Sequence, residues 1–373
     1  MPNIKTYGLI CFSIIIFLCT TNNISAIENN DVLKFETVIK NAKQSIVLLS
    51  TSPYKDPDTN LKQSGLCSGV VVNEVGHILT NFHCIYKQKF IKVIYYDKDD
   101  WQTYDVEVIG TDPLADLALL KVLGKEEKIP YLKFAPDMKN IPAGTEVFAL
   151  GHPMGMVWTV TKGIVSSNAR FMRHPYIKAL QTDAAINKGN SGGPVFNDKG
   201  EIIGIATLMI SKNDQNAGVG IAIRADIAEK SLAVMLEKGK VDRPSIGIMI
   251  IPLYGKDNQR EKILKDNPDI NTSIPNTYGL LISDQNKPTD PLPKGLQAWD
   301  TVIGINNIAI NNDVEFADQL GEYKIGETIS INIIRDKRFI QVDNITLKVF
   351  PVPTDKMYGN RNLPVPVPNK KKN

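Results

Sequence analysis

Short apolar runs separated by turn residues follow one another along most of the chain. Each is four to nine residues long and most are rich in Val, Ile and Leu. They lie at residues 45–50, 69–72, 90–96, 104–110, 117–122, 146–150, 158–166, 202–207 and 219–223. Few of them show a helical period. Many short strands without alternating helices predict an all-β barrel or sandwich.

Two segments break this β pattern with apolar residues at helical spacing. Residues 31–42 place Val32, Phe35 and Val38 on one face and predict a short helix. Residues 224–240 predict a longer amphipathic helix that ends at Gly239. We expect this second helix to close one domain, because the β pattern resumes after residue 243.

One glycine-rich loop carries the strongest chemical signal. Residues 187–195 read Asn-Lys-Gly-Asn-Ser-Gly-Gly-Pro-Val around Ser191. A serine hydroxyl becomes a good nucleophile when a histidine takes its proton and backbone amides receive the oxyanion. Glycine permits backbone conformations that let the amides of Gly189 and Ser191 turn toward one point. The plainer alternative is a glycine-rich turn before a strand.

The order of residues along the chain selects among serine hydrolase types. In the Gly-x-Ser-x-Gly elbow of α/β-hydrolases the histidine follows the serine, but all four histidines here precede Ser191. Chymotrypsin-like enzymes place histidine, then aspartate, then serine. His83 ends a predicted strand, and Asp116 stands just before an apolar strand. Asp112 is the alternative acid, although Asp112-Pro113 is typical of an ordinary turn.

These segments together resemble the HtrA/Deg family of serine proteases over about residues 35–350. The matching stretches are residues 68–72, 78–83, 116–122, 151–155, 160–165, 181–194 and 218–223. The resemblance implies a chymotrypsin-like fold of two six-stranded β-barrels. It also implies a catalytic triad of His83, Asp116 and Ser191, with an oxyanion hole formed by the amides of Gly189 and Ser191.

The same resemblance assigns a regulatory residue and a specificity pocket. Arg170 matches a family arginine that passes an activating signal between subunits; its plainer interpretation is a solvated surface charge. The walls of the pocket would be Ile205, Ala206, Thr207, Val219 and Ile221. No acidic residue lies in those stretches, so we expect a small or medium aliphatic substrate side chain rather than Lys or Arg.

Three positions depart from the family pattern. Lys188 stands where a proline is usual, Phe82 replaces an asparagine beside His83, and His152 replaces an asparagine in a Gly-x-Pro turn. None of these changes removes a reacting group. They therefore bear on how the protease is regulated more than on its catalytic chemistry.

Residues 241–350 resemble a bacterial PDZ domain. Residues 246–250 would form the carboxylate-binding loop and the groove strand, so that Ile246, Gly247 and Ile248 bind the peptide. Residues 295–310 match a core strand pair, residues 312–320 the groove helix and residues 326–347 a final hairpin. Such a domain adds an extended C-terminal peptide to its open edge. The alternative is a small structural β-domain.

Cys67 and Cys84 are the cysteines beyond the first 26 residues. A bond between these two positions across a hairpin is familiar from trypsin-like proteases, and an oxidising compartment favours it. We therefore expect a disulfide. Two free thiols, or a metal site that adds His77, are the alternatives, and we expect no metal and no cofactor.

The two ends of the chain predict no packed structure. Residues 1–26 have a lysine, a short apolar run and small residues, which is the pattern of a secretory signal peptide, with an uncleaved membrane anchor as the alternative. Residues 351–373 are rich in Pro and Lys and predict a disordered tail. The protease domain would then span residues 27–240. A net charge of +3 is too small to indicate nucleic acid binding.

The sequence therefore predicts an exported, ATP-independent serine endopeptidase that cleaves misfolded or signalling envelope proteins. Expected partners are such unfolded chains and C-terminal peptides, and the resemblance implies a homotrimer in the periplasm. Two alternatives stay open. One is a chaperone-like protein that holds unfolded chains, with cleavage secondary, and the other is an enzyme that makes a single regulatory cut.

Overall fold

The structure is a computed structural model. It describes residues 35–52, 65–97, 100–125, 128–138, 141–153, 156, 158–172, 174–209, 218–253, 259–266, 279–284 and 291–352. The predicted signal peptide, nearly all of the predicted C-terminal tail and most of the segment between residues 254 and 278 lie outside the described residues. Within the described part, no helix is long and apolar enough to cross a membrane.

The first closed barrel follows helix α1, residues 35–43. Its strands pair in the order β1-β2-β3-β6-β5-β4, all antiparallel to their neighbours. They are β1 Ile46–Ser52, β2 Gly65–Val71, β3 His77–Thr80, β4 Phe90–Asp97, β5 Asp100–Asp112 and β6 Leu117–Val122, and a single helical turn, α2 Phe82–Ile85, follows β3. Strand β6 is buried except at Lys121, which explains its continuous apolar sequence.

The second closed barrel has the strand order β10-β11-β12-β9-β8-β7. Its strands are β7 Glu146–Gly151, β8 Thr159–Met172, β9 His174–Thr182, β10 Pro194–Phe196, β11 Ile202–Met209 and β12 Gly220–Arg224. Helix α3, Ala225–Lys238, packs on β5 and β11 and ends at Gly239, whose φ is +73°. The predicted barrels, strands and helix are confirmed. Strand β9 was not predicted, because its polar and aromatic residues hide the alternation.

One apolar cluster joins the two barrels. Leu79 and Leu117 of the first barrel pack with Phe148 and Phe196 of the second, and all four side chains are buried. Because the barrels share this core, the loops at their junction are held in a fixed relation. The serine loop and the His83 turn both lie at that junction.

The C-terminal residues form a separate sheet with its own core. Its elements are β13 Pro244–Ser245, β14 Ile250–Pro252, α4 Gln259–Asp266, β15 Leu280–Ile282, β16 Thr301–Ile305, β17 Ile308–Ala309, α5 Asp313–Leu320, β18 Thr328–Arg335, β19 Arg338–Thr346 and β20 Lys348–Val349. The main sheet has the order β14-β15-β16-β18-β19. Residues 246–249 lie between β13 and β14, with Gly247 at φ +74°, and the strand begins at Ile250.

Three polar contacts connect the barrels to this sheet. The Tyr176 hydroxyl of β9 donates to the carbonyl of Pro244 at 2.5 Å, and Lys178 of β9 pairs with Asp318 of α5 at 3.0 Å. Arg243, in the connecting segment, reaches back to Asp112. Strand β9 therefore belongs to the second barrel and also borders the C-terminal sheet.

Candidate active site

His83 and Asp116 form the centre of the site. The Nδ1 atom of His83 lies 2.7 Å from Oδ2 of Asp116, and the backbone amide of His83 donates to Oδ1 at 2.9 Å. A carboxylate can only accept, so Nδ1 carries the proton. This tautomer leaves a lone pair on Nε2, and the imidazole is 13% exposed. An imidazole held this way can act as a general base.

The turn that holds Asp116 is strained and fully hydrogen-bonded. Asp116 has φ +58°, a left-handed conformation that non-glycine residues seldom adopt, and no part of it is exposed. Its Oδ2 atom also accepts from the Thr207 hydroxyl at 2.7 Å. Its carbonyl accepts from the side-chain amide of Asn81 and the backbone amide of Phe82. These bonds fix the carboxylate against His83.

Asp112, the alternative acid, has different partners. Its two oxygens accept from the two terminal nitrogens of Arg243 at 2.7 and 2.6 Å. The Ser231 hydroxyl donates to Oδ2 at 2.7 Å, and the backbone amide of Ala115 donates to Oδ1. Asp112 is as deeply buried as Asp116, but its negative charge is paired with the positive charge of Arg243. The geometry therefore favours Asp116 as the partner of His83.

The serine loop is clamped to the first barrel through Ser68. The Ser68 hydroxyl donates to the carbonyl of Gly189 at 2.7 Å and accepts from the backbone amide of His152 at 3.0 Å. The Ser68 amide donates to the carbonyl of Ser191 at 2.8 Å. A side chain at Gly192, whose φ is +85°, would meet the Ser68 carbonyl at 2.2 Å. Only glycine allows this close approach.

Two backbone amides of the loop are left to bind another group. Among the described residues, neither the Gly189 nor the Ser191 amide donates a hydrogen bond within the protein. The neighbouring amides of Asn190, Gly192 and Gly193 all do. Gly189 has φ +104°, which is available to glycine alone at low cost. The loop is therefore compatible with an oxyanion hole at the two positions named from the sequence.

The residues proposed for the specificity pocket fall into three groups. Ile205, Ala206 and Ile221 are buried in the barrel cores, with 0%, 1% and 7% of their surface exposed, so they offer almost no surface to a substrate. Thr207 directs its hydroxyl to Asp116. Val219 alone is partly buried at the barrel surface. The pairing of β11 with β12 shifts register between Ala206 and Leu208, beside Thr207.

Arg170 and His152 occupy contrasting environments near the loop. Arg170 is exposed on β8, where its Nε atom donates to the side chain of Gln181 at 2.9 Å. His152 is fully buried, and burial lowers its pKa to about 4. Its Nδ1 accepts from the amide of Trp158 at 3.2 Å. Lys188 is exposed, and Phe82 packs beside Tyr86.

Cys67 and Cys84 are bonded to each other, with their Cα atoms 6.2 Å apart. The bond connects β2 to the helical turn that carries His83. His77, which the sequence offered as a third ligand, points elsewhere: its Nδ1 lies against the side chain of Asn73. The histidine beside the two sulfurs is His83.

An apolar cavity of about 320 Å³ lies in the C-terminal sheet, between α5 and the segment around β14. Ile246, Ile248, Phe316 and Leu320 line it. Tyr176 of the second barrel lines it as well. Sequence reasoning missed Tyr176, Ser68 and Arg243, because each acts through a partner more than 60 residues away along the chain.

Comparison with known proteins gives the same architecture. Residues 67–205 match the family model of the trypsin-like peptidase domain. The chain is 33% identical over 290 residues to a protein of Bartonella henselae described as a probable periplasmic serine endoprotease DegP-like, covering 77% of this chain and 54% of that one. A protein of the same description from Brucella suis is 31% identical over 287 residues, with 76% and 52% covered. The chain thus spans about half the length of these curated relatives.

Solved structures extend the likeness to the C-terminal sheet. An HtrA-type protease AlgW with a tripeptide superposes with a TM-score of 0.69 at 26% identity, covering 86% of this chain and 98% of that one. The serine endoprotease from Yersinia pestis gives a TM-score of 0.64 at 27% identity, with 85% and 98% covered. Together with the two barrels and the arrangement of His83, Asp116 and the serine loop, these matches show that the chain belongs to the HtrA/Deg family of serine proteases.

Proposed function

We propose that this chain is a serine endopeptidase in which His83, Asp116 and Ser191 carry out acyl transfer. The observation that carries the proposal is the hydrogen bond of 2.7 Å between His83 Nδ1 and Asp116 Oδ2. It prepares Nε2 to take the proton of the Ser191 hydroxyl. The buried carboxylate then stabilises the imidazolium that forms.

The free amides of Gly189 and Ser191 complete the mechanism. They would donate to the oxyanion of the tetrahedral intermediate, and one such donor contributes about 10²–10³ in rate. The hydrogen bond from the Ser68 hydroxyl to the carbonyl of Gly189 stabilises the loop conformation in which both amides are free. His83 then gives its proton to the leaving amine. A water molecule that His83 deprotonates next attacks the acyl-enzyme and releases the second product.

The C-terminal sheet acts in this proposal as a PDZ domain that controls the protease. Its apolar cavity, which Ile246 and Ile248 line, suits the side chains of a hydrophobic C-terminal peptide, and we propose that Gly247 between them also binds the peptide. Tyr176 reaches the same cavity from the barrel that carries Ser191. A bound peptide would therefore contact both domains, and it would shift the serine loop by its differential affinity for the ordered state. Arg170 is the proposed relay.

Substrates and location follow from the family. We propose that the chain is exported to the periplasm, that it cleaves misfolded or signalling envelope proteins, and that it assembles as a homotrimer. The curated relatives are themselves described as periplasmic. The aliphatic surroundings of Val219 support a preference for aliphatic side chains at the cleavage site.

Casein hydrolysis by the wild type and by Ser191→Ala tests the enzymatic proposal. We expect the wild type to cleave and the variant to be inactive but folded by circular dichroism. Ser330→Ala is the matched control, because it removes an exposed hydroxyl in β18 that bonds to Asp343. Equal cleavage by Ser191→Ala and the wild type would refute the triad. Binding of unfolded casein without cleavage by the wild type would favour a chaperone-like protein.

Peptide activation tests the regulatory proposal separately. Hydrophobic C-terminal peptides should raise turnover at saturating substrate, and Ile248→Glu should abolish the response because it places a charge in the apolar cavity. Ile308→Glu, on an exposed position of β17 outside that cavity, is the control. Arg170→Ala should blunt activation without changing peptide affinity. Full activation of Ile248→Glu would show that the cavity is not the sensor.

A further inference from the structure

Three potential metal ligands meet at the Cys67–Cys84 disulfide. One ligand atom each from Cys67, His83 and Cys84 lie within 4.8 Å of one another. In the part of the chain that the structure describes, no other group of three His, Cys, Asp or Glu side chains meets this condition. Cys84 is 3% exposed and His83 is 13% exposed, so the group is largely buried yet open at the imidazole.

The disulfide itself is a poor ligand, but its reduced form is a good one. A dithiol reductant supplies two electrons and two protons, so the sulfur–sulfur bond breaks to give two thiols while the reductant becomes a disulfide. Thiolates are the ligands that soft divalent ions prefer, and imidazole accompanies them in zinc sites. Binding of Zn²⁺ to the two thiols releases two protons as the sulfurs ionise.

The geometry of the reduced site requires only short movements. In tetrahedral coordination, with zinc–sulfur bonds of about 2.3 Å, two thiolates lie about 3.8 Å apart. The sulfurs are 1.99 Å apart in the disulfide, so rotation of the two side chains must separate them by roughly 1.8 Å. A sulfur and an imidazole nitrogen on the same ion lie about 3.5 Å apart, and one ring nitrogen of His83 lies within 4.8 Å of both sulfurs.

The surroundings already orient His83 as a metal ligand. Its Nδ1–H is bonded to Asp116, which leaves the Nε2 lone pair to coordinate. A carboxylate behind a ligating histidine is the usual arrangement at protein zinc sites. Zn²⁺ with two thiolates and a neutral imidazole has no net charge, so the complex suits a half-buried position. Water or the Ser191 hydroxyl would complete the fourth position.

We propose that the reduced chain holds a Zn²⁺ site formed by Cys67, Cys84 and His83. The site and the disulfide exclude each other, because the same sulfurs form both. A consequence rests on the proposed protease function: zinc occupies the lone pair with which His83 would accept the serine proton. Reduced, zinc-bound chains would then be inactive. A disulfide oxidant that takes two electrons from the two thiolates, and two protons from water to become two thiols, would re-form the Cys67–Cys84 bond, release Zn²⁺ and free the base.

Zinc binding measured with a chromophoric chelator as competitor tests the site without any reference to catalysis. All variants carry Cys11→Ser and Cys19→Ser, so that only the two cysteines of interest contribute. After reduction with a phosphine, we expect one Zn²⁺ per chain, bound about 100-fold more tightly than by the oxidised chain. Cobalt(II) in place of zinc should give thiolate-to-metal charge-transfer absorption in the reduced chain.

Variants assign the ligands. His83→Ala keeps both thiols and should weaken zinc binding about 10-fold or more, whereas His77→Ala should leave it unchanged. Cys67→Ser with Cys84→Ser should abolish both tight binding and the cobalt absorption. Circular dichroism checks that each variant is folded. If the double cysteine variant does not fold, the zinc affinity of His83→Ala tests the proposal instead. Equal affinity of the reduced and oxidised chains, or of His83→Ala and the reduced parent chain, would overturn the proposal.

If the protease is active, the same samples give a second readout. Zinc should inhibit the reduced chain at concentrations that leave the oxidised chain unaffected. Inhibition of both forms at the same zinc concentration would contradict the link to the cysteines. An inactive wild type would refute the proposed function and would leave the zinc measurement to decide the site.

Discussion

Asp112 and Asp116 stand at the two ends of one turn, and both are fully buried. Asp112 faces the guanidinium of Arg243 and the hydroxyl of Ser231, so its charge is matched by a permanent positive charge. Asp116 faces the imidazole of His83 and accepts from the hydroxyl of Thr207. The same residue type at the same depth therefore serves two purposes.

The difference teaches that burial of a carboxylate does not identify a catalytic acid. Both aspartates need partners, because an unpaired buried charge is costly. The chemistry of the partner decides the role: a guanidinium makes a structural ion pair, whereas an imidazole with a lone pair on Nε2 can take part in proton transfer. The positive φ of Asp116 is a second distinction, since strained backbone often accompanies functional positions.

Asp116→Asn should have the largest effect on turnover. An amide cannot hold His83 in the tautomer with a free Nε2 lone pair, so we expect kcat to fall about 10⁴-fold. Peptide hydrolysis measures this, and thermal unfolding should show a folded variant. If Asp112→Asn reduces kcat more than Asp116→Asn does, the roles of the two aspartates are reversed.

Asp112→Asn should act on stability instead. It leaves the guanidinium of Arg243 without a counter-charge, and breaking a buried pair costs roughly 3–5 kcal/mol in free energy of unfolding. Urea unfolding measures the loss. Asp105→Asn is the matched control: its bond to Lys92 is exposed, with 51% and 69% of the two side chains accessible, so we expect a loss below about 1 kcal/mol. Equal losses would remove the distinction.

His152 extends the comparison to a buried group without a charged partner. Burial lowers its pKa to about 4, below an unfolded value near 6.5. The unfolded chain therefore binds a proton that the folded chain refuses, so stability falls as pH drops from about 6.5 to 4, by about 3 kcal/mol. Below pH 4 this contribution is constant.

The difference between the wild type and His152→Asn isolates that contribution. Urea unfolding at pH 7.5 and pH 4.5 measures both proteins, and the carboxylates that also titrate in this range cancel in the comparison. We expect the wild type to lose more stability than His152→Asn on acidification. Identical losses would mean that His152 titrates as freely when folded as when unfolded.

Thr207→Val should give the smallest effect. The change removes the hydroxyl that donates to Oδ2 of Asp116 while keeping the shape of the side chain. A hydrogen bond to a charged group contributes about 1.5–3 kcal/mol, so we expect kcat to fall about 10-fold to 100-fold with little change in KM. Thr145→Val removes an exposed hydroxyl bonded to a carbonyl and should leave kcat unchanged.

Local patterns in the sequence predicted much of this fold. The apolar runs gave most strands of the two barrels but not β9 or β10, and Gly239 marked the end of α3, because alternation and turn residues act over a few positions. The pairing of Asp112 with Arg243 could not be predicted, since 131 residues separate them. The same limit applies to Tyr176 at the C-terminal cavity. Within residues 246–250 the apolar run did not show where the loop ends, and the structure begins β14 at Ile250.

The candidate site shows the same division. The sequences around Ser191, His83 and Asp116 resemble the HtrA/Deg family, and this resemblance identified the three residues as a triad. The structure brings His83 and Asp116 into contact. Ser68 and Thr207 were missed as partners, because a hydroxyl in a strand carries no sequence signal for the group it will bond. The burial of Ile205 and Ala206 could not be predicted from their apolar character, because an apolar side chain can either line a pocket or fill a core.

Labelling with a fluorophosphonate tests the central claim most directly, because this reagent phosphonylates only a serine that a base has activated. Mass spectrometry locates the label. The account predicts modification of Ser191 in the wild type, loss of the label in His83→Ala and strong slowing in Asp116→Asn, with Asp112→Asn labelled at nearly the wild-type rate. Absence of the label from Ser191 in folded wild-type protein, or equal labelling of His83→Ala, would contradict it.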